Sequence, residues 1–416
     1  MLLTVLSGLI FSLVLVFFGR QFKAKWSILL PILPTLLFLY FAYQIPLISS
    51  GSTLVQQINW VPSLAVNFNF NLDGLSLLFA LLITGIGACI FFYGRAYLKG
   101  HACFDRFFGY LMLFMSAMLG VVLSDNILLL FVFWELTSIS SFFLIGFNND
   151  SADSRKSALT ALGITGFGGF FLLLALVLMG NIAGTYTISE LIDHRDVILN
   201  HQLYPLIIGL LFVGAFTKSA QFPFHFWLPG AMKAPTPVSA YLHSATMVKA
   251  GIFILARFTP ILGDHPYWNT TLIVVGGITM LYAAIHSLFR IDMKAILAYS
   301  TISALGVLTF LLGLGTKEAM VAVAVFILAH ALYKATLFMV TGIVDHETHT
   351  RDITVLSGLR KVLAPVALAG ILAALSSAGL PFITFGFIGK DLIYEATLHY
   401  SLPEWVWILT GLAVVT

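Results

Sequence analysis

Runs of 18 or more predominantly apolar residues recur along the whole chain, and each is long enough to cross a bilayer core of about 30 Å. The 416 residues are 59% hydrophobic and only 9% charged, whereas ordinary soluble domains are roughly a quarter charged. The runs do not alternate in polarity, as the strands of a membrane β-barrel do. The sequence therefore predicts an all-α polytopic membrane protein.

Hydropathy predicts about 13 transmembrane helices. Their approximate bounds are 2–18, 27–47, 73–94, 107–123, 126–147, 158–180, 204–221, 237–257, 270–289, 293–313, 318–343, 363–395 with a break, and 404 onward. The first run has no basic residue ahead of its apolar core, which predicts a transmembrane helix and not a cleaved signal. The last run is too short to span a bilayer. We therefore expect this chain to be the N-terminal part of a longer protein.

The distribution of positive charge predicts the orientation of the chain. Loops after odd-numbered segments hold most of the 21 lysines and arginines, whereas loops after even-numbered segments hold only Arg195, Arg257 and Lys317. Cytoplasmic loops of membrane proteins carry the excess of Lys and Arg. The N-terminus is therefore predicted to lie outside the cell.

Two short segments recur in the same order and at similar offsets. SAQFPF (Ser219–Phe224) returns as SAGLPF (Ser377–Phe382), and LTSIS (Leu136–Ser140) is echoed by YSTIS (Tyr299–Ser303). The spacing predicts two repeats of five helices. Since five is odd, the second repeat enters the membrane from the opposite side, as in many transporters. The predicted domains are N-terminal helices over 1–105, repeat one over 106–259 and repeat two over 260–416.

Each recurring segment carries a proline, Pro223 or Pro381, inside a hydrophobic span. Proline removes a backbone donor and clashes with the preceding turn, so each helix is predicted to break there. In transporters, broken helices at membrane depth mark the ion path. A plain proline kink is the alternative. A lysine near each proline, Lys218 in the first copy and Lys390 in the second, favours the ion path.

Five charged residues fall inside predicted spans: one carboxylate, Glu135, and four lysines, Lys218, Lys249, Lys334 and Lys390. Each costs about 2.5–3.5 kcal/mol even on lenient insertion scales, and such residues are usually functional. We expect Glu135 and Lys218 to pair, because pairing keeps two buried charges ionised. Separation of such a pair favours the neutral forms, so the pair can take up and release protons. A purely structural ion pair is the alternative.

Three histidines in or beside predicted spans are candidate proton carriers, because imidazole titrates near neutral pH. His330 precedes Lys334 by four residues and shares its helix face. His243 precedes Lys249 by six residues, which places the two on different faces of one continuous helix. His225 follows the first helix break, where irregular backbone can admit water. A hydrogen-bonded packing histidine is the alternative in each case.

Lys294 follows a predicted inner loop. It is either an anchor at the membrane edge, with its ammonium in the interface, or the cytoplasmic mouth of an ion path. The polar stretch DHETHTRD (Asp345–Asp352) also lies on the predicted inner side. Its acidic residues are typical of a solvated loop. In the second interpretation they attract cations to the cytoplasmic opening of an ion path.

Several classes of site are not indicated. The sequence has no CxxC or HExxH spacing, no Walker loop, no GxGxxG segment and no haem signature. We therefore expect no metal centre, no cofactor, no catalytic residue and no nucleic-acid partner. The net charge of +3 is spread over loops and forms no basic patch.

Three stretches resemble one known family: FWELTSISSFFLIGF, TKSAQFPFHFWLPGAMKAPTPVSAYLHSATMVKAG and RIDMKAILAYSTIS. They resemble the proton-translocating antiporter-like family. It includes the large subunits of Mrp-type multisubunit Na+/H+ antiporters and the antiporter-like membrane subunits of respiratory complex I and membrane-bound hydrogenases. The similarity runs from about Phe70 to the end. ELTSISSF and GIVDHETHTRD look more like the Mrp A subunit than complex I.

This resemblance implies two inverted five-helix repeats, each with a broken helix, and it implies roles for matching residues. Glu135 would modulate Lys218 in the first broken helix. Lys249, with His243, would form a central polar axis. The remaining two lysines would continue the path, Lys334 towards the second half and Lys390 at the second broken helix.

The resemblance also implies a function. The chain would be one subunit of a hetero-oligomeric secondary antiporter in the bacterial cytoplasmic membrane, and not an enzyme. The antiporter would exchange external H+ for cytoplasmic Na+. The alternative is a proton-pumping subunit of a complex I-type or membrane hydrogenase redox complex. Buried lysines serve both functions.

Overall fold

The protein is represented by a computed structural model that describes residues 1–19, 27–61 and 66–398. Within these ranges, nine helical segments are long and apolar enough to cross a membrane. Three shorter helices, Leu2–Phe18, Tyr204–Lys218 and Ala364–Ala378, are also apolar. The prediction of a helical polytopic membrane protein is therefore confirmed. The segment predicted from residue 404 onward lies outside the described residues.

The helices follow one another with short connections. In chain order the first ten are α1 Leu2–Phe18, α2 Ile32–Tyr43, α3 Ile45–Ser49, α4 Gly74–Tyr97, α5 Phe104–Leu123, α6 Ile127–Ile145, α7 Ala152–Ala183, α8 Ile188–Leu191, α9 Arg195–Leu199 and α10 Tyr204–Lys218. The others are α11 Trp227–Gly230, α12 Thr236–Ser244, α13 Met247–Leu262, α14 Pro266–Leu288, α15 Met293–Leu314, α16 Lys317–Thr348, α17 Leu359–Val362, α18 Ala364–Ala378 and α19 Phe385–Leu398.

A β-hairpin precedes α4, so the all-α expectation is wrong at this point. Strand β1 (Leu54–Val61) pairs antiparallel with β2 (Val66–Leu72), and Leu54 lies opposite Leu72. The sequence of β2, VNFNFNL, alternates between apolar and polar residues, which is the pattern of a half-buried strand. Phe70 and Leu72 are fully buried, so the apolar face of the strand packs on the helices.

An ion pair ties the end of this hairpin to the helix bundle. Arg257 of α13 donates to both carboxylate oxygens of Asp73, at 2.5 and 2.9 Å. Asp73 also caps α4 by accepting from the backbone N–H of Ser76 at 2.9 Å. Burial raises the pKa of Asp73, but the hydrogen bonds and charge of Arg257 outweigh burial and hold that pKa below its usual value. The carboxylate therefore stays ionised and fixes the start of α4.

Small residues let the helices approach closely. A Cβ on Gly276 of α14 would lie 2.4 Å from the backbone of Phe310, and one on Gly306 of α15 would lie 2.5 Å from the backbone of Met280. In lipid, the hydrophobic effect does not drive helices together, and close packing of this kind stabilises their association instead. Helices α14 and α15 are consequently packed backbone to backbone.

Helix α10 ends at Lys218, and Pro223 lies in the irregular segment that follows. Two groups released by the break find partners. The carbonyl of Thr217 accepts from the indole of Trp227 at 2.9 Å. The N–H of Phe222 donates to Thr279 of α14 at 3.0 Å. Irregular backbone is tolerated at membrane depth only where its N–H and C=O groups form hydrogen bonds with neighbouring protein, as these two do here.

The second recurring segment lies between α18 and α19, with Pro381 in the connection. Gly379 ends α18 with a positive φ of 74°, which glycine adopts without the strain that a side chain imposes. A Cβ at this position would also lie 2.7 Å from Cδ of Lys390. Glycine is thus favoured by the backbone conformation, and a side chain at this position would also displace Lys390.

The segment 237–257, predicted as one helix, is interrupted. Helix α12 ends at Ser244, α13 begins at Met247, and Thr246 between them has non-helical φ and ψ of −128° and −97°. The hydroxyl of Thr246 donates to the carbonyl of Tyr241 at 2.8 Å. Hydroxyl side chains that bond nearby carbonyls compete with the helix ladder. The break separates His243 from Lys249, so their relation cannot be derived from a continuous helix.

Candidate ion-translocation site

Lys218 is the last residue of α10 and is fully buried. Its Nζ donates to Oγ of Ser138 at 2.7 Å and to the carbonyl of Trp134 at 3.3 Å, both on α6. The same Nζ lies 4.8 Å from the centroid of the Trp134 ring, within the range of a cation–π interaction. The lysine is therefore held by neutral groups.

Glu135 lies on α6 between these two partners of Lys218, but it does not touch the lysine directly. Among the ion pairs of the described residues, none joins Glu135 to Lys218. The two charges nevertheless interact electrostatically. Oε1 of Glu135 is buried, and no described protein group hydrogen-bonds to it. The expected direct ion pair is therefore not formed in this structure.

The carboxylate of Glu135 is positioned by a glycine of α7. A Cβ on Gly169 would lie 1.9 Å from Oε1 of Glu135, and one on Gly168 would lie 1.8 Å from the hydroxyl of Thr217 in α10. Adjacent glycines thus let α6 and α10 approach α7 beside Lys218. The position of the carboxylate depends on the absence of a side chain at Gly169.

We expect Gly169→Ala to lower transport activity by roughly tenfold, because the added methyl displaces Glu135 without changing any charge. The matched control is Gly166→Ala on the same helix, where a Cβ meets nothing within 4 Å. Both changes raise helix propensity equally. Equal activity of the two variants in membrane vesicles would show that the position of Glu135 does not matter.

Helices α10 and α13 meet beside their lysines. Oγ of Ser219, which follows Lys218, donates to the carbonyl of Val248 at 2.7 Å, and Val248 precedes Lys249. Lys249 is fully buried, and its Nζ donates to the carbonyl of Ile327 on α16 at 3.0 Å. The site therefore passes from α10 through α13 to α16.

His330 lies on α16 between two lysine charges. Both ring nitrogens are buried without a hydrogen-bond partner among the described protein groups. The charges of Lys249 and Lys334 both act on the ring. Buried polar groups are normally bonded to protein or to ordered water, so this imidazole is a candidate position for bound water.

Lys334 repeats the kind of contact that Lys218 makes. Its Nζ donates to Oγ of Ser300 and, at 3.5 Å, to the carbonyl of Leu297, both on α15. Ser300 belongs to the YSTIS segment, and Ser138, the partner of Lys218, belongs to the matching LTSIS segment. In both halves a buried lysine therefore binds a serine hydroxyl and a carbonyl about one turn earlier on the same helix.

A cavity of about 150 Å³ joins Lys334 to Lys390. Its polar lining also includes the hydroxyl residues Ser287, Ser300, Ser303, Tyr333, Ser377, Tyr394 and Thr397. One water needs only about 10–15 Å³ of such space, so the cavity is large enough for a chain of waters. Nζ of Lys390 donates to the carbonyl of Ala378 at 3.3 Å, beside the second break.

The other candidates lie towards the predicted inner side. Lys294 is only 3% exposed, and its Nζ donates to the carbonyl of Ala234 at 3.1 Å. This burial contradicts the anchor interpretation, which requires an exposed ammonium. His243 is fully buried, without a described protein partner for either nitrogen, and the charge of Lys294 acts on it. His225 is 9% exposed, and its ring lies 4.6 Å from that of Tyr282.

Sequence reasoning missed the serines that bind the lysines. Ser138 and Ser300 lie in the two recurring segments, and that recurrence of hydroxyl residues was the signal that could have identified them. It also missed His286, which stacks on Tyr282 with ring centroids 4.0 Å apart. A single histidine near a helix end carries no sequence signal of its own.

The fold and this array of buried lysines and histidines define a polytopic membrane protein with ionisable groups inside its helix bundle. A family model described as NADH:quinone oxidoreductase/Mrp antiporter, TM, matches residues 124–416. A second, described as the N-terminus of complex I chain 5, matches residues 58–108. The chain belongs to the NADH:quinone oxidoreductase/Mrp antiporter transmembrane family.

Among curated relatives, a protein of Staphylococcus saprophyticus named as antiporter subunit mnhA2 is 44% identical over the whole of this chain and 54% of its own length. A protein of Rhizobium meliloti, named as a probable subunit of a K+/H+ antiporter, is 45% identical over 94% of this chain and 39% of its own length. The chain spans about half the length, or less, of these relatives.

Two solved structures share the fold. A chain of the Mrp complex from Dietzia sp. DQ12-45-1b has a TM-score of 0.91 at 39% identity, and the match covers 99% of this chain and 45% of that chain. A chain of the membrane-bound sulfane sulfur reductase, an archaeal respiratory complex, has a TM-score of 0.88 at 23% identity, covering 99% of this chain and 84% of that chain. The second likeness concerns the fold alone.

Proposed function

We propose that this chain carries the proton path of a cation/proton antiporter that exchanges external H+ for cytoplasmic Na+. One observation carries the proposal: Lys218, Lys249 and Lys334 are each at most 2% exposed and bind hydroxyl or carbonyl groups, not carboxylates. Neutral ligands stabilise an ammonium less than a carboxylate does. Each lysine can therefore lose its proton at a modest cost, as a proton carrier must.

In this proposal the proton moves between lysines by way of the imidazoles. Lys218 exchanges the proton with Lys249 across the contact between α10 and α13. Lys249 exchanges it with His330, and His330 with Lys334. The cavity of about 150 Å³ connects Lys334 with Lys390. Glu135 sets the charge state of Lys218: approach of the carboxylate favours the ammonium, and withdrawal favours release of its proton.

The proposal includes the architecture predicted from the sequence. About 13 helices would form N-terminal helices over 1–105 and two inverted repeats over 106–259 and 260–416. The chain would lie in the bacterial cytoplasmic membrane, with its N-terminus outside. The matching lysine–serine contacts of Lys218 and Lys334, and irregular segments at both recurring motifs, support the two repeats.

The proposal also includes other subunits of an Mrp-type hetero-oligomer. The likeness to a chain of the Mrp complex supports this assignment, and so do the names of the relatives, which are named as antiporter subunits. Ammonium groups repel Na+, so Na+ would bind carboxylate or carbonyl oxygens away from the lysine array. Such oxygens can belong to another subunit.

The alternative is a proton-pumping subunit of a redox complex. The similar fold of the sulfane sulfur reductase chain is the observation that favours this alternative, because that chain belongs to a respiratory complex. In that case electron transfer in another subunit would drive proton movement through the same lysines.

The two functions are separated by an assay of the complete complex in everted vesicles from cells without other antiporters. We expect Na+ to dissipate an imposed ΔpH in the absence of any electron donor. Proton movement that requires an electron donor and does not respond to Na+, K+ or Li+ would establish the redox alternative. Response to K+ in place of Na+ would retain antiport and correct the cation.

A further inference from the structure

Two histidines and a tyrosine form a cluster of contacting rings that the main lysine array does not use. The ring of Tyr282 on α14 contacts both imidazoles. Its centroid is 4.6 Å from that of His225 in an edge-on contact, and 4.0 Å from that of His286 in a stacked contact. His225 follows the first helix break, and His286 lies in the last turn of α14. The cluster therefore leads from the break to the end of a membrane helix.

The hydrogen bonding of His286 defines its free nitrogen. Nδ1 lies 2.8 Å from the carbonyl of Tyr282. A carbonyl only accepts, so Nδ1 carries the hydrogen, and Nε2 of the neutral ring is left with a lone pair. Nδ1 of His225 is buried and has no hydrogen-bond partner among the described protein groups. Each ring thus keeps one nitrogen available to exchange a proton.

Among the described residues, neither imidazole forms an ion pair with an acidic side chain. His225 contacts Phe222 and Tyr282. His286 contacts Tyr282 and, at 5.8 Å, Tyr299 of α15. Arg290 covers Tyr299, with its guanidinium carbon 4.7 Å from the ring centroid and a 3.3 Å hydrogen bond to the hydroxyl. The charge of His286 also acts on His225.

This arrangement favours one shared proton and not two. The charge of one imidazole disfavours a second charge on the other, and the ring of Tyr282, which is stacked on His286, stabilises the cationic form of His286 by a cation–π interaction. Arg290 repels a proton held on His286 and so favours its release. His286 is partly exposed, and Arg290 follows it in a loop that the charge distribution assigns to the cytoplasm.

We propose that His286 is a proton-exchange residue that connects the first broken helix to the cytoplasmic side. His225, beside the helix break, is its partner in this exchange. This inference rests on the proposed antiport. During inward proton movement, the imidazolium of His225 loses its Nδ1 proton and becomes neutral, and Nε2 of the neutral His286 takes up a proton by way of bridging water. His286 then releases the proton to the cytoplasmic water and returns to its neutral form. Only N–H and water O–H bonds form and break.

The test is a pair of substitutions in the complete complex, assayed for cation-dependent ΔpH dissipation across a range of pH. His286→Gln keeps a polar side chain but cannot carry a proton, so we expect at least a roughly tenfold loss of rate. His286→Glu restores an exchangeable proton, and we expect partial recovery. Its pH profile is displaced towards acid, because a carboxyl titrates about two pH units below an imidazole.

The control is His194→Gln, which changes an exposed histidine beside α9 on the predicted outer side and is expected to leave the rate unchanged. Amounts of assembled complex are compared in every membrane preparation. A wild-type rate and pH profile in His286→Gln would overturn the inference. Equal impairment of the Gln and Glu variants with an unshifted profile would overturn it too, since that result indicates packing alone.

Lys218→Ala, assayed in parallel, separates this inference from the antiport on which it rests. Loss of antiport in Lys218→Ala together with normal activity in His286→Gln overturns only the role of His286. Retention of antiport in Lys218→Ala counts against the proposed function itself.

Discussion

Lys218→Ala is expected to abolish cation-dependent ΔpH dissipation, with a loss of at least about a hundredfold. The ammonium at the end of α10 is the group that Ser138 and Trp134 bind and that Glu135 influences. No other described basic side chain at this point of the array can hold a proton in its place. The measurement is the recovery of acridine-orange fluorescence after Na+ is added to energised everted vesicles.

Two further variants make this result specific to the proton. Lys218→Met keeps most of the side-chain volume, so its loss of activity cannot be attributed to a cavity. Lys317→Ala removes an exposed lysine at the start of α16 and is expected to leave the rate unchanged. Activity near the wild-type rate in Lys218→Met would contradict a proton-carrying role for Lys218.

Lys249→Met is expected to lower antiport by roughly a hundredfold while the complex becomes no less stable to heat. The ammonium of Lys249 is fully buried and has one described hydrogen bond, to the carbonyl of Ile327. Burying a charge with so few partners is unfavourable, and an apolar side chain of similar length removes that cost. A residue whose replacement stabilises the protein but stops transport is retained for function.

The experiment on Lys249 requires two measurements on the same preparation, vesicle antiport and the melting temperature of the purified complex. Lys361→Met, in an exposed position of α17, controls for the general effect of exchanging a lysine for methionine. A large fall in melting temperature with a proportional fall in activity would contradict the proposed role, because it would indicate a structural lysine.

Both predictions depend on the neutral character of the groups that bind the lysines. A carboxylate partner would hold the ammonium in its charged form, whereas hydroxyl and carbonyl oxygens leave it free to deprotonate. Glu135, which lies close to Lys218 but does not touch it, then acts as an adjustable charge. This explains why a glycine in α7, which sets the position of that carboxylate, is expected to affect transport.

Much of the fold could be predicted, because the lipid bilayer restricts which backbone conformations can cross it. In a membrane, apolar runs of sufficient length form helices. A proline within such a run interrupts the backbone hydrogen bonds of the helix. The hairpin β1–β2 was not predicted although VNFNFNL alternates, because its 7 residues are a weak signal beside the long apolar runs on either side. The break between α12 and α13 was missed because it has no proline; hydroxyl groups such as that of Thr246 cause it through local hydrogen bonds.

The candidate site was predictable in its components but not in its contacts. A lysine inside an apolar run is easy to identify as a candidate, because a charge within the membrane is costly and is usually functional. Which oxygen receives its hydrogen bonds depends on helices that are distant in sequence. Lys218 and Glu135 were expected to pair because they carry opposite charges, yet the lysine turns to Ser138. His286 became a candidate only when the structure stacked it on Tyr282.

The sequence by itself determined that this chain is a helical membrane protein with a few buried charges, because lipid excludes unpaired backbone and makes every intramembrane charge exceptional. It also determined family membership, through motifs that surround those charges. Tertiary structure alone decided that the lysines bind serine and carbonyl oxygens and that one cavity joins Lys334 to Lys390. It likewise decided that two histidines contact the ring of one tyrosine. The physical reason is that hydrogen bonds and ring contacts act over a few ångströms, and only helix packing brings such distant residues together.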